Sequence, residues 1–213
     1  MMTEHLLDEI FDGADLSPVL AWYCQPSKWR IESGRLMIEP DAKTDYWQKT
    51  HYGFSADNGP FLHAQVDGDF AVRARVHLYP QHQYDQAGLM VRIDAEHWIK
   101  TSVEYEIGEP SKLGAVVTNG GYSDWSTQDF PDGVSEVSFR IRRAGDDYIV
   151  ESMLHAGVEA GDALGGWIQI RMAHLPNCNH VPVQCGLYAC CPIDAGFRAE
   201  YDYLKIEVHG AEE

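Results

Sequence analysis

The strongest constraint in this sequence is a period of two. From Ala21 onward, short apolar/polar alternations are separated by turn signals: Glu32-Ser33-Gly34, Asp57-Asn58-Gly59-Pro60, Asp67-Gly68-Asp69, Gly108-Glu109-Pro110, Asn119-Gly120-Gly121, Pro131-Asp132-Gly133, Ala144-Gly145-Asp146, Gly165-Gly166 and Pro176-Asn177. Such signals recur about every ten residues, the spacing of short antiparallel strands. No segment sustains a 3.6-residue period, and no internal repeat or low-complexity stretch is visible. Successive side chains of a strand point to opposite faces, so each alternating run has one face to bury. Strands of this kind become stable by packing sheet on sheet, and the pattern predicts an all-β antiparallel sandwich or jelly roll.

The faces can be read strand by strand. In "WIKTSVEYEI", Ile99, Thr101, Val103, Tyr105 and Ile107 share one face, and Trp98, Lys100, Ser102, Glu104 and Glu106 the other. In "QAGLMVRI" the apolar face is Ala87, Leu89, Val91 and Ile93, opposite Gln86, Gly88, Met90 and Arg92. "EVSFRIRR" turns Val137, Phe139 and Ile141 inward. "VQCGLYAC" turns Val183, Cys185, Leu187 and Ala189 inward and Tyr188 outward. "FRAEYDYLKIEV" groups Phe197, Ala199, Tyr201 and Tyr203. The polar faces collect Arg92, Lys100, Glu104, Arg140, Glu200 and Asp202. If the strands are neighbours, these form either a solvated face of weak ion pairs or a concave binding surface. Residues 1–20 read as an acidic arm in which "HLLDEIF" makes a short helix or stays mobile, and residues 21–210 as a single domain.

Charge narrows the partners. Of 213 residues, 33 are acidic and 16 are Lys or Arg, a net charge of −17. Phosphate backbones and anionic lipids require basic surfaces, so neither nucleic acid nor a membrane is expected as a partner. The first residues lack a basic segment followed by an apolar run, and no stretch approaches the roughly 18 apolar residues of a membrane span. The expected location is cytoplasmic, with the five cysteines reduced. His174, Cys178 and His180 can be drawn as a metal cluster, but Pro176-Asn177 between them reads as a plain turn. Neither metal nor cofactor is expected. "LGGW" lacks the lysine and helix start of a phosphate loop, and Asp67 and Asp69 lie in no calcium-loop pattern.

Several long strings are familiar as a set. "YDQAGLMVRIDAEHWIKTSVEYEIGEP", "VVTNGGYSDWSTQDFP", "WQKTHYGFSADNGPFL", "GDFAVRARV" and "CGLYACCPIDAGFRAEYDYLKIE" closely resemble segments of the DUF1349 family, over about residues 21–208. That family includes proteins named as regulators of enolase. The resemblance implies a concanavalin A-like jelly-roll sandwich of two curved antiparallel sheets, and it brings no agreed activity. "VTNGGYSDW" carries one more Gly than the usual form, and "HLPNCNH" is richer in Cys and His; both lie in turns.

The candidate residues follow from the polar face and its aromatic borders. Glu104 and Glu106 stand two apart, a Cα separation of roughly 6.5 Å on a strand, within the range in which two carboxylates can act on a glycosidic bond. Asp124 is an alternative second acid or a turn cap. Trp47, Trp125 and Tyr188 offer stacking surfaces, with Trp47, Lys49 and His51 on one face of a strand; Asp85 reads either as a turn cap or as a ligand-facing acid. The expected contacts of a carbohydrate-like or other small polar ligand are Trp47, His51, Gln86, Lys100, Glu104, Asp124, Trp125 and Tyr188. In this set Lys100 and Gln86 donate, and Glu104 and Asp124 accept. Two other functions fit: a glycoside hydrolase-like enzyme using Glu104 with Glu106 or Asp124, and a regulator that docks a protein partner such as a metabolic enzyme.

Overall fold

The computed structural model describes residues 3–155, 166–176 and 181–209, and every regular element among them is a strand. In chain order these are Thr3–Glu9 (β1), Ala21–Tyr23 (β2), Lys28–Glu32 (β3), Arg35–Glu39 (β4), Tyr46–Gln48 (β5), Ser55–Asp57 (β6), Phe61–Val66 (β7), Asp69–Tyr79 (β8) and Gln86–Arg92 (β9). They continue with Trp98–Glu104 (β10), Lys112–Asn119 (β11), Tyr122–Asp129 (β12), Glu136–Ala144 (β13), Asp147–Leu154 (β14), Ile168–His174 (β15), Val183–Cys190 (β16) and Arg198–His209 (β17).

Two large antiparallel sheets form the concanavalin A-like sandwich. The first runs β15-β14-β13-β8-β17-β4-β3, with β1 added along β17; the second runs β12-β11-β10-β9-β16-β7-β2. Their facing surfaces make the main core. Phe70, Val72, Ala74 and Val76 of β8 and Leu204 and Ile206 of β17 meet Leu89 and Val91 of β9, Ile99 and Val103 of β10, and Cys185 and Leu187 of β16. Each fully buried Val, Leu, Ile or Phe among them contributes about 1.5–3 kcal/mol. Tyr201 crosses between the sheets, its hydroxyl donating to the carbonyls of Tyr188 at 2.6 Å and Gly88 at 3.2 Å. That contact fixes β9 and β16, the two strands behind the candidate site.

The inward faces of β9, β10, β13 and β16 match the alternation in the sequence. Four expectations need correction. Residues 3–9 form a strand on β17, with Leu7 buried, instead of a helix or a mobile arm; the open edge of β17 offers a full row of backbone partners. A bulge between Tyr201 and Tyr203 then shifts the phase, so Leu204 and Ile206 take the core and Tyr203 does not. Arg140, Glu200 and Asp202 belong to the first sheet, whereas Arg92, Lys100 and Glu104 belong to the second, so the polar set is divided between two outer surfaces. Finally, β5 ends at Gln48, and Lys49 and His51 sit at φ 55° and 61° in the turn that follows, so they do not share a strand face with Trp47.

The outer face of the second sheet is largely covered. The short β5–β6 hairpin lies on it and builds a second core from Tyr46, Trp47, Phe61, Met90, Trp98, Val116, Tyr188 and Cys190. The Tyr46 ring meets Trp98 and Tyr188 edge-on at 6.0 and 6.1 Å, and its hydroxyl donates to the Gly59 carbonyl at 2.6 Å. Polar clamps hold both strands of the hairpin. The Gln48 amide donates to Ser123 Oγ at 2.8 Å, and Ser123 is itself bonded to Thr118 Oγ1 at 2.7 Å. Arg92 donates to Asp57 Oδ2 at 2.8 Å while stacking on Tyr23, 4.4 Å from the ring centre.

Candidate functional site

Where the hairpin leaves the sheet face open, a cleft of about 280 Å³ remains. Its floor comes from the outward residues of β9 and β10: Gln86 lies directly across from Glu104, and Lys100 stands two outward positions back along β10, beyond Ser102. Asp45, which precedes β5, and Glu106, which follows β10, close the polar side. Trp47, Tyr52, Phe54, Tyr84, Val116 and Trp125 form the remaining lining. Six sequence candidates therefore meet in one place: Trp47, Gln86, Lys100, Glu104, Glu106 and Trp125.

Gln86 organises the floor. Its amide oxygen accepts from Lys100 Nζ at 2.8 Å and from the Tyr188 hydroxyl at 3.3 Å. Its amide nitrogen donates to Glu104 Oε2 at 2.9 Å and to the Tyr84 carbonyl at 3.2 Å. A primary amide has two hydrogens and two lone pairs, so this side chain is saturated by the protein. Gln86 positions Lys100 and Glu104 and has no donor left for a ligand. Tyr188 is fully buried behind it and offers no stacking surface.

Lys100 is 3% exposed and also faces Asp45 Oδ1 at 3.5 Å. Burial pushes the Glu104 carboxyl up to about 7; Lys100 opposes that rise, and Asp45 and Glu106 add to it. Near neutral pH this group can therefore hold or release a proton. Glu106 accepts from Gln83 Nε2, and Gln83 Oε1 in turn accepts the Ile107 amide at 2.7 Å. Asp85 caps the adjoining turn, its Oδ2 accepting the Gln81 and His82 amides, both at 2.8 Å.

His51 and Asp124 lie elsewhere. They line a neighbouring depression of about 750 Å³ at the sandwich edge, which shares Trp47, Tyr52 and Trp125 with the cleft. Asp124 is 73% exposed and pairs with Arg171 of β15 at 3.2 Å. On an edge strand it faces away from Trp125, its neighbour in sequence. It does not cap the preceding turn, whose central residues are Gly120 and Gly121, at φ 59° and 75°, joining Asn119 to Tyr122. The sequence reading missed Asp45, Tyr52, Phe54 and Tyr84. Phe54 and Tyr52 had a weak signal in "HYGF", which is aromatic where a turn would ordinarily be polar.

Of the proposed Cys/His cluster, Cys178 and His180 lie outside the described residues. Among the described residues His77, Glu136 and Asp202 come close enough to share an ion, but Arg75 and Arg35 already bridge these carboxylates. Cys24, Cys185, Cys190 and Cys191 are unbridged thiols, and among the described residues no helix is long and apolar enough to cross a membrane.

Comparison with known proteins agrees with the fold. A Saccharomyces cerevisiae protein named "Regulation of enolase protein 1" is 33% identical over 180 residues, covering 84% of this chain and 85% of that protein. A solved structure of a functionally unknown protein from Saccharomyces cerevisiae superposes with a TM-score of 0.78 at 28% identity, covering 91% of this chain and 98% of that one. GH43B of a Bacteroides ovatus xyloglucan PUL has a TM-score of 0.72 at 18% identity. That match covers 93% of this chain and 38% of the other, a likeness of fold. The model of the family described as "Protein of unknown function (DUF1349)" matches residues 22–208, and the chain belongs to that family.

Proposed function

We propose that this protein is a non-catalytic binding module for a small, hydroxyl-rich, carbohydrate-like ligand, held in the cleft between the second sheet and the β5–β6 hairpin. The observation that carries this reading is the meeting of fixed polar groups with exposed rings. Lys100 and Glu104 are held in place by a saturated amide, while Tyr52, Phe54 and Tyr84 stay open beside Trp47 and Trp125. Small-molecule sites combine an apolar, aromatic lining with a few oriented polar groups in this way. Trp125 and Trp47 would stack on the ligand, Glu104 would accept hydroxyl hydrogen bonds, and Lys100 would donate. Net charge of −17 argues against nucleic acid and anionic membranes as partners. The four cysteines among the described residues are unbridged, which suits a cytoplasmic location.

Tryptophan fluorescence and calorimetry against a panel of mono- and oligosaccharides test this reading. Binding is expected to perturb emission and to weaken about tenfold in Trp125→Ala, the equivalent of one lost stacking contact. Silence across the whole panel would sink it. A second reading, glycoside hydrolysis with Glu104 as acid and Glu106 as the second carboxylate, is favoured by the raised proton affinity of Glu104. It predicts turnover that Glu104→Gln abolishes. A third, regulation through a protein partner, rests on the name of the yeast relative. It predicts a stable complex with an enolase at micromolar concentration.

A further inference from the structure

Resting on the reading that the cleft holds a small polar ligand, we infer that this ligand carries a protonated or quaternary amine, seated between the carboxylates of Asp45, Glu104 and Glu106 and the aromatic walls. Charge gives the first argument. Three carboxylates and one lysine line the space. The Lys100 ammonium is engaged within the protein, donating to Gln86 and facing Asp45. What is left is net negative, and an anionic ligand would be repelled.

Hydrogen bonding gives the second argument. Several donors beside the carboxylates are already occupied: both Gln86 amide hydrogens, the Tyr188 hydroxyl and the Trp47 indole N–H, which bonds the Thr50 carbonyl at 2.9 Å, while Lys100 directs two of its three N–H groups to Gln86 and Asp45. An ionised carboxylate accepts only, and it has about four lone-pair sites. Glu104 and Glu106 each take a side-chain amide hydrogen from within the protein, at Gln86 and Gln83. The floor therefore presents chiefly acceptors. A hydroxyl brings donor and acceptor together, whereas an ammonium brings donors alone and matches this surface better.

The walls give the third. Tyr52 is 58%, Phe54 45% and Tyr84 42% exposed, an uncommon degree for aromatic rings that border a single cleft. Trp47 and Tyr52 stand 5.4 Å apart at 59°, so their faces are turned toward different directions. Ring faces carry negative potential and attract cations, most strongly where water is partly excluded. The two loops that present them, 49–54 and 80–85, are held in uncommon shapes: Lys49 and His51 in the first and Tyr84 in the second have positive φ although none is glycine. Such geometry persists where the surrounding structure fixes it, and it concentrates at ligand clamps.

The test compares glucosamine, N-acetylglucosamine, glucose and tetramethylammonium with the full chain, by calorimetry at neutral pH and low salt. Glucosamine is expected to bind at least about tenfold more tightly than its N-acetyl form and than glucose, with affinity falling as salt rises. Binding of a cation should also release protons, seen as a dependence of the measured heat on buffer. The groups facing Glu104 are Lys100 and Glu106 along its own segment and Asp45 before the hairpin. Lys112 lies across on β11, paired with Asp129, and Tyr188 and Cys190 of β16 lie behind Gln86. Of these, Glu104 is the group whose carboxyl is held near neutrality, so the proton leaves from there. Glu106→Gln and Phe54→Leu should each weaken glucosamine about tenfold, the first by charge and the second by loss of a ring face while the position stays apolar. Equal binding of glucosamine and N-acetylglucosamine would overturn the amine inference and leave the sugar-binding reading standing. Tetramethylammonium binding without any sugar would support the amine and overturn the sugar. Absence of binding by all four probes would overturn both.

Discussion

Replacing Glu104 by Gln should make the protein more stable above neutral pH, the reverse of what removing a carboxylate beside a lysine would suggest. The side chain keeps its shape and still offers an oxygen to Gln86 Nε2. What disappears is the cost of ionising it. Burial raises the Glu104 carboxyl from 4.5 to about 7 in the folded protein, whereas the unfolded chain has an ordinary carboxylate. Between those two values the folded state holds more protons than the unfolded state, so stability falls as pH rises, and the penalty is fully present above the folded value. Integrating the two titrations from about pH 5 to about pH 8 gives a loss of about 2.5 kcal/mol in the wild type that the Gln variant does not share. All other groups titrate in both proteins and cancel in the difference. Equilibrium urea unfolding of both proteins across that range measures it directly. The variant-minus-wild-type stability should rise steadily through neutrality, equivalent to about 5–10 °C in melting temperature for a chain of this size. A difference that stays flat to within about 0.5 kcal/mol would refute the reasoning: it would mean that Lys100 compensates the buried charge in full.

Other substitutions test other parts of the construction. Gln86→Leu keeps the volume but strips hydrogen bonds from Lys100 and Glu104, two charged groups, and should cost about 3–4 kcal/mol in urea unfolding, with less than about 1 kcal/mol counting against Gln86 as the group that holds them. Ser123→Ala removes the acceptor of the Gln48 amide and the partner of Thr118. It should cost about 1–2 kcal/mol and speed hydrogen exchange at Gln48 while leaving core amides of β8 protected. Gly88→Ala places a Cβ 2.0 Å from the Thr101 carbonyl oxygen, a backbone atom with no rotamer to escape into. A loss of about 3 kcal/mol or more is expected, read as melting temperature and soluble yield; a near-neutral result would show that β9 and β10 separate more easily than their register implies.

How much of this was legible in the sequence depends on what physical record each feature leaves. Burial on one face writes itself into a strand as alternation, so the inward residues of β9, β10, β13 and β16 could be read directly. Alternation says which face a residue takes and nothing about which sheet it joins. Arg140, Glu200 and Asp202 therefore looked like companions of Lys100 and Glu104, although a whole sandwich lies between them. "HLLDEIF" has Leu7 and Phe11 four apart, which suits a helix, and only the free edge of β17, remote in sequence, makes part of it a strand.

The site divides along the same line. Lys100, Glu104 and Gln86 were visible because polar residues on a strand face beside aromatics invite a question. That Gln86 is a saturated positioning group was not visible, since it depends on the register that sets Glu104 against Gln86 and Gln86 against Cys190. The walls were harder still. A glycine at a positive-φ position announces a special turn, but here Lys49, His51 and Tyr84 take those positions and announce nothing. Local sequence does not choose that conformation, so tertiary packing must hold it. Beside Lys49 and His51 that packing is the second core, where Tyr46 is set against Trp98 and Tyr188 and Trp47 is buried; Tyr84 stands on a separate loop, its amide bonded to the Tyr105 carbonyl at 2.8 Å. Trp47 belongs to that core and also lines the cleft, and Tyr188 closes the core from behind while bonding the amide that orients Lys100 and Glu104. The stability of the hairpin and the geometry of the site therefore rest on the same side chains. A substitution that loosens Tyr46 should disorder the cleft before it unfolds the sandwich, because the main core between the sheets does not include it.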